Sequence, residues 1–225
     1  MLDFGFYNMD CMEGMKEFPD QFFDLAIVDP PYGNANGQFS GKTRFGERFS
    51  RYNKEKSKIQ HGCGHWHYSD VKWDIAPDKN YFDELFRISK NQIIWGGNYF
   101  QLPPTRCFLV WYKTTIPENF SMSMAEYAWT SFNDNAKVFM FKSSGIKGRF
   151  HPTQKPVELY KWILSNYAKE GDKILDTHVG SASSLIACRE MEFKYVGFEI
   201  DEDYFNEAKK RLDQAENQVN IFDLL

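Results

Sequence analysis

Apolar residues come in short runs and helical stripes that alternate along the chain. Residues 2–8 predict a short strand, and Met12, Met15 and Phe18 follow at helical spacing. Residues 22–28 form an apolar run of buried-strand length, closed by Asp29-Pro30-Pro31-Tyr32-Gly33, since two prolines cannot continue a sheet ladder. From Asn34 to about Tyr68 the periodicity lapses, and an irregular stretch of that length is usually functional or disordered. Residues 78–90 predict a helix with Tyr81, Phe82, Leu85 and Phe86 on one face. Residues 92–95 and 107–112 read as strands. Residues 125–132 and 136–141 read as a strand pair, with Asn133-Asp134-Asn135 as a hairpin turn. A helix over 156–167 follows, then a strand at 173–175, a helix at 180–190 and a strand at 195–198. The last helix, 204–212, starts at Asp201 or Asp203. This alternation predicts an α/β fold with a mostly parallel sheet covered on both faces.

Ligands in such folds bind at strand ends. There Asp29 and the Pro30 carbonyl offer two acceptors for an exocyclic amine, and Tyr32 offers a stacking face. The bland alternative is a proline-stiffened turn with a capping Asp and a core Tyr. Near the other end, residues 174–183 read as strand, small-residue loop and helix, with Glu199 about 20 residues beyond the loop, where an acid grips ribose hydroxyls. The Gly-x-Gly-x-x-Gly spacing is absent, so a tight turn with a capping acid is the competing reading. The nucleotide loop is usually the first strand–helix turn of such folds; here it comes late, which points to a permuted order.

Composition adds one sharp feature. Net charge is −4, which announces no nucleic-acid partner, but residues 41–58 carry seven basic residues against two glutamates. Lys42, Arg44, Arg48, Arg51 and Lys54 alternate there with Phe45, Phe49 and Tyr52, a pattern suited to phosphates and unstacked bases. A solvated loop is the alternative. His61, Cys63, His65 and His67 lie within seven residues, but the spacing departs from known zinc sites and no metal is assigned. Four separated cysteines, no signal-peptide pattern and no membrane-length apolar run favour a cytoplasmic setting. The length suits a single domain over residues 1–225, with the basic insert at about 34–78.

Three stretches belong together: Asp29-Pro30-Pro31-Tyr32, His151-Pro152-Thr153-Gln154-Lys155-Pro156, and Asp176 through Ser183 with Glu199. With Asp10 they frame nearly the whole chain. In this order the sequence resembles the permuted (β) group of S-adenosylmethionine-dependent DNA N6-adenine methyltransferases, as found in restriction-modification systems. The resemblance implies a Rossmann-like, mostly parallel seven-stranded sheet with an antiparallel hairpin toward its C-terminal side. It implies S-adenosylmethionine as cofactor. Asp176, Gly180, Ser181, Ala182 and Ser183 would hold its methionine part, Glu199 its ribose, and Asp10 would lie near its adenine. Thr153 and Lys155 would close the pocket, which Asp29 and His178 also line. Catalysis would fall to Asp29, Pro30, Pro31 and Tyr32. The family usually reads Asp-Pro-Phe-x-Gly-Ser-Gly-Thr where this chain has Asp176-Thr177-His178-Val179-Gly180-Ser181-Ala182-Ser183. Ala182 tolerates positive φ less well than glycine, His178 replaces an aromatic ring, and weakened cofactor binding follows as an expectation.

The implied partner is double-stranded DNA with a flipped adenine. A cognate restriction nuclease, and monomer versus homodimer, stay open. Cytosine N4 is an amine of the same geometry, although that group more often has Ser at the position of Asp29. An RNA substrate, a catalytically silent nucleic-acid-binding relative and, last, a dinucleotide oxidoreductase are the other readings.

Overall fold

Eight strands form one sheet among the described residues of the computed structural model: Gly5–Asn8 (β1), Phe23–Val28 (β2), Ser89–Trp95 (β3), Phe108–Lys113 (β4), Ala125–Thr130 (β5), Lys137–Phe141 (β6), Lys173–Asp176 (β7) and Lys194–Glu199 (β8). The helices are Cys11–Lys16 (α1), Lys79–Ile88 (α2), Val157–Tyr167 (α3), Ser183–Glu190 (α4) and Glu202–Phe222 (α5). The structure describes residues 1–33, 75–119, 123–143, 150, 151 and 153–222, without the side chains of 216–222. Two compact units result: Met1–Pro30 with Asp78–Leu225, and Pro31–Pro77. In the second unit Gly33 turns at φ 73°, where a Cβ would lie 3.0 Å from that of Ala76.

The sheet order is β1-β8-β7-β2-β3-β5-β4-β6. β1, β8, β7, β2 and β3 run parallel, whereas β5 is antiparallel to both β3 and β4. The sheet thus has eight strands rather than seven, the short β1 pairing with β8 from Gly5↔Val196 to Asn8↔Glu199. The expected hairpin between β5 and β6 is also corrected. β5 spends one edge on β3 and the other on β4, so β6 crosses over to the free edge of β4 and pairs parallel. Thr130 Oγ1 donates to the Cys107 carbonyl (2.8 Å) and Trp129 Nε1 to that of Pro103 (2.7 Å), tying β5 against the start of β4.

β2 is buried along nearly its whole length because strands flank it on both sides and helices cover both faces, which is why its sequence is a continuous apolar run. On one face, Ala26, Val28, Ile94, Leu175 and Phe198 pack under Met15 of α1 and Tyr81, Phe82, Leu85 and Ile88 of α2. Asp78 starts α2 by accepting from the Tyr81 N–H (3.2 Å). On the other face, Leu25, Ile27, Ile93, Trp95, Leu109 and Trp111 meet Leu159, Tyr160, Ile163 and Leu164 of α3. Asp201 caps α5, accepting from Tyr204 N–H at 3.0 Å. Among the described residues no helix is long and apolar enough to cross a membrane. Cys11, Cys107 and Cys188 are free thiols.

Gly197 in β8 sits where the loop after β7 presses on the sheet. An added Cβ would come within 2.7 Å of Val179 Cγ2 and 2.9 Å of Leu185 Cδ1. Gly197→Ala is expected to destabilise the protein by about 1–3 kcal/mol through overpacking, read as a lower urea midpoint at unchanged slope. An unchanged midpoint would show that the loop has slack.

Candidate active site

β7 and β2 lie side by side, although one ends near residue 28 and the other near residue 176. Their parallel register, Leu25↔Ile174 and Ala26↔Leu175, brings both C-terminal ends to one edge of the sheet. Asp29 follows β2 there, and Asp176 closes β7. Parallel strands with chain connections diverging from that edge leave a crevice of the kind that receives ligands in α/β folds.

A buried ammonium joins this edge to the antiparallel half of the sheet. Lys155, 3% exposed, comes from the segment ahead of α3 and pairs with Asp29 Oδ2. It also pairs with Glu126 Oε2 of β5 at 3.2 Å, and its Nζ lies 5.2 Å from the centre of the Trp95 ring. Glu126 Oε1 in turn binds Lys113 of β4 at 2.5 Å. Charges therefore alternate through Asp29, Lys155, Glu126 and Lys113. Burial alone would lower the Lys155 ammonium, but Asp29 and Glu126 outweigh it and raise it above the ordinary lysine range. For Glu126 burial acts upward, and the two lysines more than reverse it, holding the carboxyl below its usual value.

The loop after β7 is built from small, buried residues. Val179 N–H donates to the Phe198 carbonyl (3.0 Å) and Gly180 N–H to Glu199 Oε2 (2.8 Å), so the loop hangs on the end of β8. Glu199 Oε1 accepts from Asp201 N–H at 3.0 Å, and burial raises its carboxyl. Gly180 (φ 54°) and Ala182 (φ 60°) are both left-handed, so α4 begins at Ser183 and not at Gly180. For alanine this conformation costs about 1–2 kcal/mol. Burying its methyl against Val179, Leu185 and Ile186 returns about 0.8 kcal/mol. Ser183 Oγ donates to the Lys155 carbonyl (2.7 Å), and Arg211 of α5 donates to the Ser181 carbonyl (2.5 Å), fastening the loop to both neighbours.

Asp176 accepts from His178 N–H (3.0 Å) and from Ser184 Oγ. Burial nevertheless pushes its carboxyl up to about 7, with Asp29 and Glu199 adding repulsion. His178 goes the other way: burial pushes it down to about 4, against the pull of Asp10. Its Nδ1 is 2.9 Å from Thr177 Oγ1, which is 2.6 Å from the hydroxyl of Tyr81. Two acids held above their usual range, with no cation paired to Asp176 among the described residues, fit a cationic, hydroxyl-bearing ligand. Two buried donors, Trp95 Nε1 and Gln154 Nε2, have no partner among the described residues and flank Lys155 in space and in sequence. They suit a ligand that also carries acceptors. S-adenosylmethionine, with ammonium, carboxylate and ribose, meets that donor set.

The structure thus brings together Asp29, Lys155, Asp176, Ser183 and Glu199. Asp10 caps α1, accepting from Met12 N–H at 2.7 Å. Thr153 is exposed and bonds His151 Nδ1 at 3.2 Å. Pro30 ends the first unit, whereas Pro31 and Tyr32 belong to the second. Lys42, Arg44, Arg48, Arg51, Lys54 and the His61–His67 cluster lie outside the described residues, as do Pro152 and 144–149. The sequence reading took Tyr81 only as part of a helix's packed face and passed over Lys113 and Glu126. Single charges in aromatic strands look like an exposed face, and only the pairing of β4 with β5 turns them inward.

Residues 110–210 match the N6/N4 methyltransferase family, described as DNA methylase. Over 95% of its length the chain is 23% identical to the type II methyltransferase M.HpaI of Haemophilus parainfluenzae, covering 76% of that protein. The solved M1.HpyAVI–SAM complex has the same fold, with a TM-score of 0.54 at 21% identity, covering 92% of this chain and 98% of that one. The cytosine-N4-specific PvuII DNA methyltransferase superposes with a TM-score of 0.57 at 11% identity, over 97% and 93% of the two chains.

Proposed function

We propose that this chain, whose residues 110–210 match the N6/N4 DNA methylase family, transfers a methyl group from S-adenosylmethionine to the N6 amine of adenine in DNA. The observation that carries this reading is the meeting of Asp29 and Asp176 at adjacent strand ends, with Lys155 paired to Asp29 and held to the small-residue loop through Ser183. The cofactor supplies an electrophilic methyl on a sulfonium. Asp176 takes its ammonium and Glu199 its ribose hydroxyls, the latter with lone pairs left over from its two backbone contacts.

At the amine, Asp29 and the Pro30 carbonyl accept the two hydrogens and hold the nitrogen lone pair toward the methyl. Asp29 acts as an oriented acceptor and not as a strong base, because Lys155 already engages its Oδ2. The amine gains the methyl as the carbon–sulfur bond breaks to leave a neutral thioether, and the amine, then cationic, gives its surplus proton to water. Positioning and fixed charge supply the rate. Extruding the base from a duplex costs a few kcal/mol. Stacking on Tyr32, a role assigned from the sequence, returns roughly 1–3 kcal/mol. The basic stretch 41–58 is assigned the phosphate contacts on the same footing, with DNA as partner.

Modification-aware sequencing of DNA from cells expressing the protein tests the proposal. The expected result is N6-methyladenine in one short context, absent when Asp29→Asn is expressed instead. N4-methylcytosine would transfer the reading to the cytosine amine, and unmodified DNA would overturn it.

A further inference from the structure

The hydrogen-bond chain behind His178 determines where that ring carries its proton. Tyr81 and Thr177 are each 2% exposed. Among the described residues the Tyr81 hydroxyl has a single hydrogen-bond neighbour, Thr177 Oγ1 at 2.6 Å. Leaving a buried phenol proton unmet is costly, so Tyr81 donates to Thr177. The Thr177 proton then has one acceptor left among the described residues, His178 Nδ1 at 2.9 Å. Nδ1 therefore bears a lone pair, and the neutral ring keeps its proton on Nε2. The Tyr81 ring meets His178 edge-on (centroids 5.4 Å apart, 69° between planes) and fixes the orientation of the imidazole. Nε2 has no hydrogen-bond partner among the described residues, and it belongs to the loop that carries Asp176 and Gly180.

We propose that His178 presents Nε2–H as a donor of fixed tautomer to an acceptor atom of the bound cofactor. Where the family usually reads phenylalanine, this chain offers a polar contact, with Thr177 and Tyr81 as its positioning residues. The identity of the ligand rests on the methyl-transfer reading; the tautomer does not. Reversing the chain would strand the Tyr81 proton inside the core, and a Thr177 that accepted from both neighbours would strand its own, so this polarity alone meets every buried proton.

Nitrogen-15 histidine spectra of the full chain provide the test, with His178→Gln assigning the signal among the five histidines. Near neutral pH, Nδ1 is expected unprotonated and Nε2 protonated. Saturating S-adenosylmethionine should shift the Nε2 signal and slow exchange of its proton. Tyr81→Phe, which keeps the packing, should release a mixture of tautomers. His178→Phe should weaken cofactor binding about five- to tenfold by calorimetry. A proton on Nδ1 overturns the proposal. So does wild-type protein that binds the cofactor with an unchanged Nε2 signal, which would leave methyl transfer standing. Wild-type protein that fails to bind S-adenosylmethionine overturns the contact and the methyl-transfer reading together.

Discussion

Asp29→Asn should abolish methyl transfer, by about 10²–10³-fold or more, in a protein that still folds and still binds S-adenosylmethionine. The asparagine carbonyl can accept from Lys155 in place of Oδ2, so the buried ammonium keeps two partners. Asp29→Ala is a worse test than the sequence implies. It leaves Lys155, 3% exposed, with Glu126 at 3.2 Å as its one carboxylate partner among the described residues. Removing one partner of a buried pair costs about 3–5 kcal/mol, with the surviving Glu126 contact favouring the lower end. Loss of activity in the alanine variant would then mix unfolding with chemistry. A labelled-methyl assay on the asparagine variant, alongside its urea midpoint, separates the two. Turnover at the wild-type rate would remove Asp29 from the reaction.

The second large effect runs in opposite directions for stability and function. Asp176→Asn should stabilise the cofactor-free protein at pH 8 while removing most cofactor binding. Folding raises the carboxyl from 3.8 to about 7. Between those values the unfolded chain is ionised while the folded one holds its proton, so stability falls as pH rises through the window. Above about pH 7 the folded protein carries the full penalty of a buried charge, an upper bound of roughly 4 kcal/mol. Asparagine lifts that penalty at pH 8 and gains little near pH 4. The same proton competes with the ligand, so wild-type affinity for S-adenosylmethionine should weaken as pH drops below about 7. Chemical denaturation at both pH values, with calorimetry across the range, reads each part. A variant less stable than wild type at pH 8, or one binding cofactor normally, would contradict the assignment.

How much of this was legible beforehand differs by element. The run 22–28 and its proline stop were readable because a central parallel strand needs apolar residues on both faces. β7, the loop behind it and Glu199 were readable from small residues at fixed offsets. Ala182 was flagged as a residue where glycine is usual, and it does adopt φ 60°. The place of β6 was not legible. Asn133-Asp134-Asn135 is good turn chemistry, but turn residues say nothing of which edge is already taken. Nor could the Lys113–Glu126–Lys155 chain be read. Its members come from three separate segments, and a charge in a strand acquires meaning only when its cross-strand neighbour is known.

Among the described residues the first strand has a single neighbour in the sheet, β8, with Asn8 bonded to Glu199 across 191 positions. In the order of synthesis, then, β1 has no edge to dock on until β8 has been made. Asp29 waits likewise, across 126 positions, for Lys155. A chain halted before β7 would therefore hold Asp29 and Lys155 but neither Asp176 nor the strand that β1 pairs with, so the two halves of the strand-end crevice form together.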